Sequence, residues 1–126
     1  MRLSLILETW KLAVCQLPHD SAVPAWALGG PFFSVTRTPS EVSVVCVESQ
    51  VPKGTRVEAG WRCLAVEGPV PFELTGALAS LATPLAQAGI SVYSISTFDT
   101  DHLLVRESDV RKAVEALRNE GHRVAG

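Results

Sequence analysis

Three histidines, three cysteines and an Asp-x-Asp run are the side chains that first suggest chemistry in this chain of 126 residues. His19, His102 and His122 lie far apart, and no two have the spacing of metal ligands on one element. Cys15, Cys46 and Cys63 form no C-x-x-C pair and are odd in number, so neither a disulfide framework nor a zinc site is expected. They read as small buried hydrophobes in a reducing cytosol. Asp99-Thr100-Asp101 has the outline of a metal site, but a metal wants further oxygen ligands and the neighbourhood supplies few. A tight turn is the expected role, and no metal is expected. Cys63 beside Arg62 has the outline of an activated thiolate, yet no general base is evident. G-x-S-x-G, Walker A, G-x-G-x-x-G and H-E-x-x-H motifs do not occur. Neither an enzyme nor a bound cofactor is expected.

The elements that must position these residues fall into two halves. Residues 51–60, with Pro52, Gly54, Gly60 and mixed charge but no apolar periodicity, read as a linker between 1–50 and 61–126. In the first half, Leu3, Leu5 and Leu7 alternate as a strand, and Lys11 to Leu17 makes another, halted by Pro18. Pro24 to Leu28 suits one helical turn ended by Gly29-Gly30. Phe32 to Thr36 and Val42 to Val47 are β-rich runs parted by the turn Thr38-Pro39-Ser40. In the second half, Trp61 to Glu67 reads as a strand and is followed by a helix from Glu73 or Leu74 to Ala88. Leu74, Leu78, Leu81 and Leu85 form its apolar stripe, Gly89 its stop. Ser91 to Phe98 and His102 to Arg106 are strands joined by Asp99-Thr100-Asp101. Ser108 is expected to cap a second helix, with Asp109 near its positive end. Val110, Ala113, Val114 and Leu117 line that helix, Gly121 ends it, and His122 to Val124 makes a short final strand. The order β-α-β-β-α-β is the ferredoxin-like split βαβ, an α+β fold.

Composition narrows the function classes. Eleven Lys and Arg against thirteen Asp and Glu leave a net charge of -2, which gives no field for a phosphate backbone, so no nucleic acid is expected. From Pro69 to Phe98 the only charged residue is Glu73, but Pro84, Gly89 and the Ser and Thr residues deny this stretch the character of a membrane span. The apolar start of the chain is too short for a signal peptide and is interrupted by Glu8. A cytoplasmic location without membrane contact is expected. The two helices also differ. The second carries Asp109, Arg111, Lys112, Glu115, Arg118 and Glu120, whereas the first offers Gly76, Ala79, Ala82, Thr83, Ala86 and Gln87 on its non-core side. Such a small, charge-free face suits close packing, either against the chain's own first half or against another chain as a homodimer. Pro84 removes the backbone bond to Ser80 and predicts a bend.

The run Thr75 to Leu85, followed by Ala88-Gly89-Ile90-Ser91-Val92, resembles the ACT domain family, with Thr75 standing where Pro is usual. The likeness is closer from Ile90 to Glu107, which is similar to the ACT modules of CASTOR-type cytosolic arginine sensors and small bacterial ACT-like proteins. Phe32 to Pro39 resembles the same group. The resemblance implies an ACT domain over 61–126 and a degenerate, strand-rich ACT-like half over 1–50. It also implies a regulatory module that binds an amino acid between paired units. Carried over by position, Leu74, Thr75, Gly76 and Ala77 match the family's ligand loop. Ser91 and Val92 match strand positions that offer backbone groups, and Thr97, Phe98 and Asp101 match the segment lining the arginine pocket.

The chemistry of these positions agrees. Free N–H groups at a helix start favour a carboxylate, and Gly76 admits a ligand without a Cβ in the way. Asp101 has the charge to accept an ammonium or guanidinium, and Phe98 could supply an apolar wall. Each position has a plainer role as well: Asp101 as a turn-former, Phe98 as core, Gly76 for close helix packing. The alternative function is a protein-interaction module that keeps the fold without a ligand.

Overall fold

The structure, a computed structural model, describes residues 1–126. Seven strands are present: β1 (Ser4–Leu17), β2 (Ser34–Arg37), β3 (Val42–Val47), β4 (Arg56–Val66), β5 (Val92–Ser96), β6 (Asp101–Arg106) and β7 (Arg123–Ala125). Two α-helices accompany them, α1 (Ala77–Gln87) and α2 (Val110–Asn119). Two compact units result, one of Met1–Thr9 with Arg62–Gly126 and the other of Trp10–Trp61. The long strands β1 and β4 contribute to both.

In the larger unit the strand order is β7-β1-β4-β6-β5. The predicted β-α-β-β-α-β order is present as β4-α1-β5-β6-α2-β7, and the fold is the ferredoxin-like α+β arrangement. The first strand departs from the sequence reading. It is continuous from Ser4 to Leu17, and its opening residues join this unit: Ser4, Leu5 and Ile6 pair in parallel with Arg123, Val124 and Ala125. The stretch read as a linker also departs, because β4 begins at Arg56. Arg56 to Ala59 are all exposed, so this part of the strand carries no apolar alternation from which to read it.

Sheet alternation and helix periodicity meet in one core. Leu5, Leu64, Val66, Leu103 and Val105 supply the sheet side, and Leu81, Leu85, Ala113 and Leu117 supply the helices. The buried stripe of α1 is Ala77, Leu81, Pro84 and Leu85. Leu74 and Leu78, expected in that stripe, are exposed. The cause is the helix start: Gly76 sits at φ +79°, a left-handed conformation that α-helix excludes, so Leu74 precedes the helix and Leu78 lies in its open first turn. Both helices end alike. Ile90 N–H donates to Leu85 O and Gly89 N–H to Ala86 O, and His122 N–H donates to Leu117 O and Gly121 N–H to Arg118 O. These paired bonds satisfy the last carbonyls around a left-handed glycine. At its start α2 differs from expectation. Glu107–Asp109 form a 3-10 turn, so Ser108 lies inside the turn and Asp109 takes the cap position without a side-chain capping bond.

The smaller unit has the order β2-β3-β1-β4. β1 and β3 are antiparallel with Leu12 opposite Val47 and Leu17 opposite Val42. Ala13, Cys15, Val42, Val44 and Cys46 face one side and pack with Ala27, which the short 3-10 turn Ala25–Ala27 carries.

Candidate functional site

In the larger unit, a cleft of about 610 Å³ opens between the start of α1 and the β5–β6 hairpin. One wall is the end of the β4–α1 loop and the first turns of α1, including Leu74, Gly76, Ala77, Leu78, Ala79 and Ala82; the other is Ser96, Thr97, Phe98, Thr100 and Asp101. The helix start is chemically open. Its N-cap, Gly76, has no side chain to cap it, and the first amide in the helix with a backbone partner is that of Ser80, which donates to Gly76 O at 2.8 Å. The amides of Ala77, Leu78 and Ala79 precede it, at the positive end of the helix. A Cβ built on Gly76 would meet nothing within 4 Å. The glycine therefore serves the backbone turn and leaves space open, and close helix packing is not its role here.

The opposite wall is set by the hairpin. Ser96 and Asp101 are cross-strand partners at its end. The turn is closed by Thr97, whose N–H and hydroxyl both donate to Thr100 O at 2.8 and 3.1 Å. Asp101 is thus the first residue of β6, outside the turn, and the turn-forming role read for it passes to Thr97. Its carboxylate accepts the Ser96 hydroxyl at 2.6 Å. Phe98, read as an apolar wall with core as its plainer alternative, is not core: it is 80% exposed at the tip and meets Phe72 edge-on with centroids 4.9 Å apart.

The two walls are strapped together. Val70 N–H donates to Asp99 O at 2.7 Å, and the Thr100 hydroxyl donates to Val66 O at 2.7 Å. Gly68 suits the strap, because a Cβ there would lie 3.0 Å from Asp99 O and 3.1 Å from the Thr100 Cβ and would push them back by a few tenths of an ångström.

Of the residues singled out in the sequence, Leu74, Gly76, Ala77, Thr97, Phe98 and Asp101 come together in this cleft, while Thr75, Ser91 and Val92 are not part of its lining. Ser91 precedes β5, and Val92 packs against the helix-covered core. Sequence reasoning missed Phe72, Leu78 and Ser96. Phe72 stood in a Pro-rich loop without periodicity, and Leu78 was absorbed into an apolar stripe that starts later than the spacing suggests.

The cysteines are built for burial. All three are free and buried, and burial pushes the Cys63 thiol up to about 12 and the Cys15 thiol up to about 11. Cys63 Sγ lies 3.9 Å from His102 Nδ1, but burial also lowers the basicity of that imidazole. Arg62 does not activate the thiol. Successive strand residues point to opposite faces, and the Arg62 guanidinium donates to Glu8 O at 2.8 Å. No helix of the structure is long and apolar enough to cross a membrane.

Comparison with known proteins gives the family. A family model described as the ACT domain matches residues 56–119, half of the chain. The chain belongs to the ACT domain family. A second model, described as an N-terminal domain, matches residues 11–54. Among characterised relatives, the rat protein named cytosolic arginine sensor for mTORC1 subunit 1 is 32% identical over an alignment of 120 positions that covers 82% of this ACT protein and 36% of the relative. This chain thus spans about a third of that relative's length. A crystal structure of an Agrobacterium tumefaciens protein has a TM-score of 0.94 at 41% identity and covers 98% of this chain and 92% of its own. The ligand-free regulatory subunit of aspartate kinase from Thermus thermophilus shares the ACT-type fold, with a TM-score of 0.63 at 10% identity over 90% of this chain and 93% of its own.

Proposed function

We propose that this chain is a non-catalytic regulatory module whose α1 cleft binds a free amino acid, with a second ACT unit completing the site. The observation that carries the reading is the pairing, across one cleft, of an uncapped helix start with the Asp101 carboxylate. A bound amino acid would direct its carboxylate to the amides of Ala77, Leu78 and Ala79. A cationic side chain would meet Asp101 in a charge-assisted bond, and Leu74, Gly76, Thr97 and Phe98 would line its path. The likeness to a protein named for arginine sensing makes L-arginine the first probe.

A homodimer is the assembly that suits this reading. Strand β5 is at the end of the larger unit's sheet, and no charged residue occurs from Ile90 to Phe98. Natural edge strands that remain unpaired are commonly guarded by charge or proline. Exposed Ala79, Thr83, Ala86 and Gln87 give α1 an equally charge-free outer face. Thr75, Ser91 and Val92, outside the cleft, would act in ligand binding only across such a contact. The Trp10–Trp61 unit fits a degenerate ACT-like unit, one that retains strands and has two 3-10 turns, Ala25–Ala27 and Glu48–Gln50, where helices would stand. In this reading the protein acts in the cytosol.

A thermal-shift screen of the twenty amino acids tests the proposal. A ligand at one hundred times its Kd stabilises by about 2.7 kcal/mol, which raises the melting temperature of a chain this size by roughly 10 °C. No shift with any amino acid would leave the second reading, a protein-interaction module, which the exposed aromatic pair Phe72 and Phe98 favours.

A further inference from the structure

The proline inside α1 creates a defect that a distant residue repairs. Pro84 has no N–H, so the carbonyl of Ser80, four residues earlier, lacks its usual helical donor. His122 stands in for it, with Nε2 lying 3.1 Å from Ser80 O. Its other ring nitrogen, Nδ1, is 3.0 Å from the Leu3 amide nitrogen. The Leu3 amide can only donate, so Nδ1 must be the acceptor and the proton must sit on Nε2, pointing at Ser80 O. The ring is fixed in this orientation, since His122 is 4% exposed and its backbone N–H is tied to Leu117 O at the end of α2.

Ser80 is also the residue that closes the first turn of α1. Its N–H donates to Gly76 O at 2.8 Å and its hydroxyl to Ala77 O at 2.7 Å. One peptide unit away from the His122 bond, therefore, are the groups that orient the amides lining the cleft. We infer that His122, as the neutral Nε2–H tautomer, is a positioning residue for the cleft, acting through the Ser80 carbonyl that Pro84 leaves without a donor. The inference rests on the reading of the cleft as a carboxylate site for its effect on binding, but the clamp itself can be tested without a ligand.

The ring of the wild-type chain is read first by long-range 15N–1H NMR. A protonated Nε2 and an unprotonated Nδ1 are expected for His122, and the opposite tautomer or an imidazolium overturns the inference. His122→Ala, Pro84→Ala and the double variant then test the route. Pro84→Ala restores an N–H for Ser80 O, so the amide shifts of Gly76 to Ser80 should move in His122→Ala and return toward wild type in the double variant. Affinity for L-arginine should fall about tenfold in His122→Ala, equivalent to about 1.4 kcal/mol, and recover to within about threefold in the double variant. Should His122→Ala not fold, recovery of folding by Pro84→Ala is the expected result. Movement of the Gly76 to Ser80 amides without reversal, or an unchanged affinity in folded His122→Ala, overturns the inference. If wild type binds no arginine while the shifts reverse as expected, the ligand reading fails and the clamp stands.

Discussion

Two glycines of α1 allow the role of the helix start to be separated from its stability. Gly76 and Gly89 flank the helix at φ +79° and +75°, and a Cβ on either would meet nothing within 4 Å. An alanine at either position therefore causes no clash; the cost is backbone strain alone. Holding a non-glycine residue in the left-handed region costs roughly 1–2 kcal/mol, partly offset by the smaller entropy of the unfolded alanine chain, about 0.4–1 kcal/mol. A net loss of about 1 kcal/mol is expected for each variant. At about 2.1 cal/mol/K per residue, this lowers the melting temperature by roughly 4 °C. The two variants should differ in binding. Gly76→Ala puts a methyl at the mouth of the cleft and disturbs the amides behind it, so L-arginine affinity by calorimetry should fall at least tenfold, or ~1.4 kcal/mol. Gly89→Ala, at the far end, should bind as wild type. Equal affinities in the two variants, or a rise in the melting temperature of either, would refute this reasoning.

Asp101→Ala should abolish stabilisation by L-arginine while leaving the ligand-free melting temperature within a few degrees, since its bond to the Ser96 hydroxyl is at an exposed hairpin end; a matching loss of stability in differential scanning fluorimetry would make Asp101 structural. Thr100→Val removes the hydroxyl bond to Val66 O and should cost about 1 kcal/mol in urea unfolding, with raised hydrogen exchange at Val70; no change would mean that the strap bears no load. The cysteines set a pH dependence. Burial raises Cys63 to about 12 and Cys15 to about 11 from 9.0, so the unfolded chain loses these protons before the folded one does. Their contribution to stability is full below about pH 9 and declines as pH rises from about 9 toward 12. Native protein should resist iodoacetamide at pH 8 and be labelled at all three cysteines once unfolded.

Much of the larger unit was legible because its signals are local. The glycines at 89 and 121 end their helices in the way their sequence positions suggest, and Val110, Ala113 and Leu117 carry a clear helical period. The start of α1 was not legible, since Leu74 continues the leucine spacing and only the left-handed Gly76 shows that the helix begins later. Two of the residues missed at the cleft share a cause: Phe72 and Ser96 lie on the loop and hairpin that the strap joins, a long-range contact without a periodic trace. The same holds for β1. Leu3, Leu5 and Leu7 mark a strand, but nothing local says that its opening residues pair with β7 across more than a hundred positions. The Pro84 defect was visible as a lost bond to Ser80, whereas its repair by His122 belongs to the tertiary structure. Arg56 to Ala59 passed for a linker because a strand segment exposed throughout has no buried face to pattern.

The most direct measurement is a 1H–15N titration of the chain with L-arginine, followed with the other amino acids. Saturable shifts concentrated at Gly76, Ala77, Leu78 and Ala79, together with Phe98 and Asp101, are the predicted result. Saturable binding that leaves those amides unmoved, or no response to any amino acid, would contradict the account.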